Sequence, residues 1–367
     1  MNWFINASIV SVVRLFQHWG VFDALPMPTP GLPPSKQGMP VPTLAAKLEA
    51  EESILLRLAY MLTSSSILHL VPAEGPSTPA RLSHTPTSLA LRSGQPMGAM
   101  FRLMFTNVVS TSTVLPSYFS TYGRREPLGP SHIPTSFLAG QPELDYFTNL
   151  NRDPAAIDDF MLAMAIAHRN APTTGMYDMT PILAAAAAEP SRPVWIDVGG
   201  GDGHTVAIFR RAHPALPAAQ CLIQDLPEVC VQAAHKAAAD AELDGVRWEP
   251  MDFHADPPVV GGRAYYLRHV LRDYSDATAT RILKNVARGL TRADARILVA
   301  EQVSTEPPAQ YAAFKDFTML AIGGKDRTLE GFKKVARDAG LEVEKVWRDK
   351  GTPHAVLEMR LVGAGVE

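Results

Sequence analysis

The segment Val194-Trp195-Ile196-Asp197-Val198-Gly199-Gly200-Gly201-Asp202-Gly203 constrains this chain more than any other. A short, mostly apolar run passes without a break into a glycine cluster, and a helix is predicted from about Thr205. Glycine lets the backbone turn tightly at a strand end and approach a ligand closely. From there on, short apolar runs alternate with helical stretches. Strands are predicted at Val194 to Val198, Cys221 to Gln224, Val246 to Met251, Ala264 to Val270, Ile297 to Ala300, Val343 to Trp347 and Ala355 to Leu361. Strands alternating with helices over this length imply an α/β fold with a mainly parallel, doubly wound sheet of seven strands.

The chain has 367 residues, more than one hydrophobic core usually organises, so a second domain is expected. Residues 1 to 185 read as mostly helical, with proline-rich breaks at 26–34, 72–86 and 127–134. Thr43 can cap a helix carrying Leu44, Leu48, Ile54, Leu55 and Leu58, and Ile67 to Val71 reads as a short strand. Together these suggest a small winged-helix arrangement. The run Ala184 to Ala188, followed by Glu189 and Pro190, ends the last helix of this part and sets a boundary between domains 1–185 and 186–367.

Composition excludes several classes. Apolar residues make up 46% and charged residues 19%, a globular balance, and a net charge of −3 provides no field to attract phosphate backbones. Without a basic recognition helix, the winged region favours dimerisation and a substrate lid over nucleic-acid binding. Only Cys221 and Cys230 are present, with no cysteine or histidine pairing of metal-site spacing, so neither a disulfide framework nor a metal site is expected and a cytoplasmic protein is. Met1 to Phe16 is apolar but interrupted by Asn2, Asn6, Ser8, Ser11 and Arg14, which reads as an amphipathic helix and not a signal peptide. No window approaches the roughly 18 uninterrupted apolar residues of a membrane span.

The glycine spacing narrows the ligand. A dinucleotide fingerprint would place glycine at 199, 201 and 204, but position 204 is histidine, which disfavours a pyrophosphate. Asp225 closes the next predicted strand, where a carboxylate can accept both hydroxyls of a ribose. Asp252 and Phe253 follow the third, an acceptor for an exocyclic amine beside an apolar wall for an adenine face. Any one of these could be a helix cap or a bare turn. Three in register across three strand ends make a nucleoside ligand the better reading.

Ile196-Asp197-Val198-Gly199-Gly200-Gly201, Gln224-Asp225-Leu226-Pro227, Met251-Asp252-Phe253, Arg272-Asp273-Tyr274-Ser275-Asp276 and Gly323-Gly324-Lys325-Asp326-Arg327-Thr328 resemble the plant and fungal caffeate-type O-methyltransferases over nearly the whole chain. The resemblance implies a Rossmann-like domain that binds S-adenosylmethionine through Gly199, Gly201, Asp225, Asp252, Phe253 and Arg268, and N-terminal helices that build an intertwined homodimer.

The catalytic position departs from that pattern. The family carries a histidine base where this chain has Arg272, while the two acidic positions that orient the acceptor correspond to Glu301 and Asp326. Arginine stays protonated and has no acceptor lone pair, so it cannot remove a proton. A positioned base contributes about 10²–10⁴-fold, whereas alignment supplies roughly 7–11 kcal/mol of a barrier, so methyl transfer is impaired but not abolished. An acidic enol or hydroxypyridone would need no base. His269 is an unpromising substitute, because an offset of three along an extended strand points the opposite way.

Arg272 also offers five donors in a fixed fork, suited to polarising a carbonyl or stabilising developing oxygen charge. An Arg272-Asp273 pair here resembles the methyltransferase-fold pericyclases of fungal polyketide and pyridone pathways, the leporin and ilicicolin type. That resemblance implies that S-adenosylmethionine is kept as a bound cation during a dehydration, cycloaddition or rearrangement of a hydrophobic polyketide-like substrate, with Arg272 and Asp273 carrying the chemistry. The alternatives are an O-methyltransferase acting on an acidic hydroxyl, a silent cofactor-binding partner, and an Arg272 that only forms a salt bridge to Glu301 or Asp326. Met161, Met164 and His168 share one helix face, and Phe314, Phe317 and Met319 precede the Gly-Gly-Lys segment; these are the candidate pocket residues.

Overall fold

A computed structural model describes residues 1–33, 36–73, 78–169, 173–237, 240–348 and 351–363. The chain forms two compact units, Met1–Ser112 with Leu150–Asn170, and Thr113–Asn149 with Ala171–Glu367.

In the first unit, β1 (Met39–Pro40), β2 (Leu68–Val71) and β3 (Arg81–His84) form an antiparallel sheet in the order β1-β3-β2. Gly38 lies so close to β3 that an added Cβ would meet Leu82 O at 2.1 Å. The single helix expected after Thr43 is two, Val41–Lys47 and Glu52–Ser64, because Glu49 takes a φ of +52° and breaks the turn. Apolar positions then sort by face. Leu55 and Leu62 join Val13, Phe16, Phe22 and Leu44 in the core, while Ile54 is exposed. The helices Pro96–Met104 and Pro154–Arg169 pack together, tied by Arg102 Nε donating to Asp159 Oδ2 at 2.6 Å.

The second unit is built on β4 (Trp195–Val198), β5 (Cys221–Asp225), β6 (Arg247–Pro250), β7 (Ala264–Arg268), β8 (Arg296–Ser304), β9 (Arg327–Thr328), β10 (Leu341–Arg348) and β11 (His354–Leu361). The continuous order is β10-β11-β8-β7-β4-β5-β6, with the two-residue β9 pairing β8 off that path. β4 to β8 are parallel, and β11 runs antiparallel between β8 and β10. Both faces are covered, which is why β4 and β7 are buried along their whole length. Ile196, Val198, Tyr265 and Leu267 face one core. Trp195 and Tyr266 face the other, with ring centroids 4.7 Å apart and Phe209 4.5 Å from Trp195, contacts worth about 0.5–1.5 kcal/mol beyond area burial.

The segment 113–149, read from sequence as part of the first domain, packs with the second unit. Tyr118 donates its hydroxyl to His132 O at 2.7 Å, Ser275 Oγ donates to Leu128 O at 3.2 Å, and Lys325 Nζ lies 2.9 Å from Glu126 Oε1. The helix Thr180–Ala188 also belongs there, burying Ile182 and Ala186. Contacts distant in sequence, which no boundary signal encodes, decide this grouping. Among the described residues no helix is long and apolar enough to cross a membrane.

Candidate functional site

Two groups of polar side chains gather where the parallel strands end. The first surrounds the glycine loop. Gly199, Gly201 and Gly203 have φ of +73°, +58° and +79°, and Gly203 begins the helix His204–Ala212, so the turn needs a residue without Cβ. A Cβ at Gly200 would lie 2.9 Å from Asp197 Cγ, and one at Gly199 3.4 Å from the Phe253 ring; at Gly201 nothing lies within 4 Å. The loop thus closes over Asp197, packs on Phe253 and leaves one face open.

Asp225 holds the loop. Its Oδ2 accepts from Gly201 N at 2.8 Å and its Oδ1 from Leu226 N at 2.8 Å. Burial pushes its carboxyl above the usual range, opposed by those two N–H groups. Each carboxylate oxygen keeps a lone pair for a further donor. Asp252 Oδ1 accepts from His254 N at 2.8 Å, and the Phe253 ring lies 6.0 Å from that of Tyr274.

Asp197, to which the sequence reading gave no role, sits beneath the loop. It is buried, its carboxyl is pushed up to about 7 by burial against the pull of His204 and Arg268, and its Oδ2 has no hydrogen-bond partner. Gln224 Oε1 is also buried without a partner. Acceptors and carboxylates at an open glycine turn fit a donor-rich, positively charged ligand with a ribose, and repel a pyrophosphate. S-adenosylmethionine meets that description: Gly199 and Gly201 lie on the loop, Asp225 and Arg268 end β5 and β7, and Asp252 and Phe253 follow β6.

The second group is built by a turn after β7. The strand stops at Arg268, His269 takes a φ of +57°, and Leu271–Asp273 forms one 3₁₀ turn. Arg327 holds that turn: fully buried, it donates from Nη1 to Leu271 O at 2.7 Å, from Nη2 to Tyr274 O at 2.7 Å and from Nε to Asp276 Oδ1 at 2.8 Å. Gly324 lies against the same turn, where a Cβ would come within 2.3 Å of Arg272 O, and Lys325 N donates to that oxygen at 2.8 Å. Only glycine lets the Gly323-Gly324 segment lie this close and bring Asp326 to Arg272.

Arg272 Nη2 and Asp326 Oδ1 are 3.0 Å apart, with the guanidinium 13% exposed and the carboxylate 1%. Glu301, buried on β8, accepts from Arg272 N at 3.3 Å. The salt bridge considered from sequence is therefore present, to Asp326. It does not satisfy the cluster: Arg272 Nε and Asp326 Oδ2 are buried without hydrogen-bond partners. Each such atom costs about 1–3 kcal/mol, which a purely structural ion pair would avoid. Burial pushes the Asp273 carboxyl up to about 7, against the opposing charge of Arg272. Arg272, Asp273, Glu301 and Asp326 thus lie in one corner.

The expectation for His269 is corrected. Its Nδ1 lies 3.5 Å from Glu301 Oε2, because the left-handed residue and the 3₁₀ turn replace the extended strand on which the alternation argument rested. Burial lowers its pKa, against the pull of Glu301. His354, with its ring centroid 5.9 Å away, is lowered to about 4 by burial first and by the surrounding cations. Both imidazoles are uncharged near neutral pH. Glu301 remains below its usual value although burial opposes it, since it faces His269, Arg272 and the Arg272 N–H.

The softer candidates divide. Phe314 is 42% exposed, Phe317 and Met319 are half-buried on the helix Gln310–Ala321, and Met319 lies about 140° round that helix from Phe314. Met161 is exposed and Met164 half-buried on Pro154–Arg169 in the first unit. The His168 side chain lies outside the described residues.

A family model described as an O-methyltransferase domain matches residues 175–342. The methyltransferase pynC of Aspergillus niger is 31% identical over 361 residues, covering 98% of this chain and 95% of its own. Among solved structures, OxaC in complex with SAH and oxaline superposes with a TM-score of 0.82 at 24% identity, covering 98% of this chain and 86% of that one. The structure of a pericyclic reaction enzyme superposes with a TM-score of 0.74 at 24% identity, covering 96% of this chain and 86% of that one. At these identities the two structures show a shared fold.

Proposed function

This chain belongs to the O-methyltransferase family, and on that premise we propose that it catalyses a pericyclic or dehydrative step on a hydrophobic, polyketide-derived substrate of secondary metabolism. Its cofactor is S-adenosylmethionine, which supplies a sulfonium charge and an activated methyl group when bound. In the proposed reaction that cofactor is not consumed.

The observation that carries this reading is Arg272. It stands where the family's base would, has no acceptor lone pair, and keeps a buried, unpartnered Nε–H beside an ion pair that fixes its plane. A fixed guanidinium donating to a substrate carbonyl stabilises oxygen charge as it develops, with no proton removed. Asp273, titrating near 7, can hold or release the proton that a loss of water requires. Phe314 and Phe317, three residues apart on one face of their helix, provide apolar surface for the substrate.

One observation favours a second reading, methyl transfer to an acidic hydroxyl: an uncharged His269 beside Glu301 resembles an oriented base. The relative pynC is named a methyltransferase. A silent cofactor-binding partner has no comparable support.

Arg272→Ala combined with Asp326→Asn, so that no carboxylate is left buried alone, tests the assignment. Loss of rearrangement with unchanged cofactor affinity is expected; rearrangement at the parental rate would overturn it.

A further inference from the structure

Glycine loops that hold phosphates leave the start of the following helix open, so that its N–H groups and positive end meet the ligand anion. Here the chain fills that position itself. Asp202 Oδ1 accepts from His204 N at 3.2 Å and lies 2.9 Å from His204 Nδ1, which places a protein carboxylate at the start of the helix His204–Ala212.

Beneath the loop the arrangement again favours positive charge. A Cβ at Gly200 would lie 3.0 Å from Asp197 Oδ2, the oxygen that is buried without a hydrogen-bond partner. Asp225 is turned to the same loop by the hydrogen bond from Gly201 N. Asp252 and Asp256 follow β6, where Asp256 Oδ2 accepts from Asp252 N at 2.8 Å. Against these carboxylates stand Arg268 at the end of β7, His204 in its pair with Asp202, and His254, whose pKa burial lowers. The balance among the described residues is negative.

A carboxylate in low-dielectric surroundings acts on charge well beyond hydrogen-bond range. At ~8 Å and an effective dielectric constant of ~20, one opposite charge shifts an equilibrium by more than about tenfold. S-adenosylmethionine and S-adenosylhomocysteine share an adenosine, an ammonium and a carboxylate, and differ by one methyl group and one positive charge. Hydrogen bonds to the shared groups hold both alike, whereas the field of the carboxylates tells them apart.

We propose that this pocket selects its cofactor by charge, holding the sulfonium in preference to the thioether S-adenosylhomocysteine, with Asp197 as the principal source of that preference. The inference rests on the loop being the cofactor site and not on which reaction the substrate undergoes. It gives a retained cofactor a physical basis, because the demethylated form competes poorly for the same pocket.

The test is calorimetric titration of the full-length protein without substrate at about pH 8, above the value near 7 at which the Asp197 carboxyl ionises. The ligands are S-adenosylmethionine, S-adenosylhomocysteine and sinefungin, which carries an amine in place of the methylated sulfur and so separates charge from methyl bulk. The parent should bind S-adenosylmethionine and sinefungin at least about tenfold more tightly than S-adenosylhomocysteine. In Asp197→Asn, which keeps the side-chain shape, the ratio of the S-adenosylhomocysteine and S-adenosylmethionine dissociation constants should fall at least about threefold; losses common to both ligands cancel in that ratio. Should that variant not fold, Asp202→Asn at the exposed helix start carries the test, with a fall of about twofold. Equal or tighter binding of S-adenosylhomocysteine by the parent, a preference for S-adenosylmethionine that sinefungin does not share, or a ratio unchanged by the substitution would overturn the proposal. Because no substrate is present, failure here leaves the pericyclic assignment to its own test.

Discussion

Arg272 and Asp326 meet in a 3.0 Å ion pair whose carboxylate is almost wholly buried, at the point where a family pattern of one base and two acids would place the base against an acid. The pair explains how an arginine is tolerated there. It also means that removing either partner alone strands a buried charge, an effect of about 3–5 kcal/mol that would confuse catalysis with folding.

Arg272→His restores an acceptor lone pair. If the corner still aligns a hydroxyl with the cofactor, methyl transfer should rise by about 10²–10⁴-fold, measured as S-adenosylhomocysteine formed per enzyme. No rise in a variant that keeps the parental melting temperature would mean that the substrate is held for another reaction.

Asp197 makes opposite demands on fold and ligand. Its folded pKa near 7 lies above the unfolded value, so its stability contribution is full below about pH 4 and is lost as pH rises through 7. Asp197→Asn should therefore raise the melting temperature of the cofactor-free protein more at pH 8 than at pH 5. The same substitution should abolish any gain in affinity for S-adenosylmethionine as the parent carboxyl ionises between pH 6 and 8. A melting difference independent of pH would contradict this account.

Arg327 holds the 3₁₀ turn by three hydrogen bonds from a fully buried guanidinium. Arg327→Met should cost about 2–4 kcal/mol, chiefly by leaving the Leu271 and Tyr274 carbonyls without their donor, since Asp276 is partly exposed and keeps Lys325 3.5 Å away, and lower the melting temperature by about 2–4 °C per kcal/mol. Turnover should fall with it even at temperatures where the variant is folded, since Arg272 is set by that turn. Parental turnover would show that the turn is fixed by other contacts.

The N-terminal helix Asn2–His18 exposes Trp3 by 87% and Phe4 by 77%. Exposed aromatics adjacent in sequence fit an interface, which is where the homodimer implied by the family resemblance would form. Trp3→Asp with Phe4→Asp should convert a dimer into a monomer in light scattering without changing cofactor affinity; a parent that is monomeric throughout would refute the dimer.

Sequence alone placed β4, β5, β7 and β8 because strands buried on both faces are continuous apolar runs, and the glycine loop because positive φ leaves few alternatives. It misdirected His269, since an alternation rule holds only while the strand continues and here one left-handed residue ends it. Arg327 was passed over for a different reason. An arginine after an aspartate looks solvated until distant carbonyls and a carboxylate are seen around it. The boundary near 185 failed to anticipate that 113–149 packs with the second unit, because its anchors, Ser275 and Lys325, lie more than a hundred residues away.

In the proposed reaction the cofactor is retained while the substrate rearranges. Purified protein, S-adenosylmethionine and metabolite extract from its own biosynthetic pathway are incubated together, and S-adenosylhomocysteine and substrate mass are followed in the same sample. The account predicts a product of unchanged mass, or lighter by one water, with the cofactor intact. Stoichiometric S-adenosylhomocysteine with a product heavier by one methylene would contradict it and establish methyl transfer.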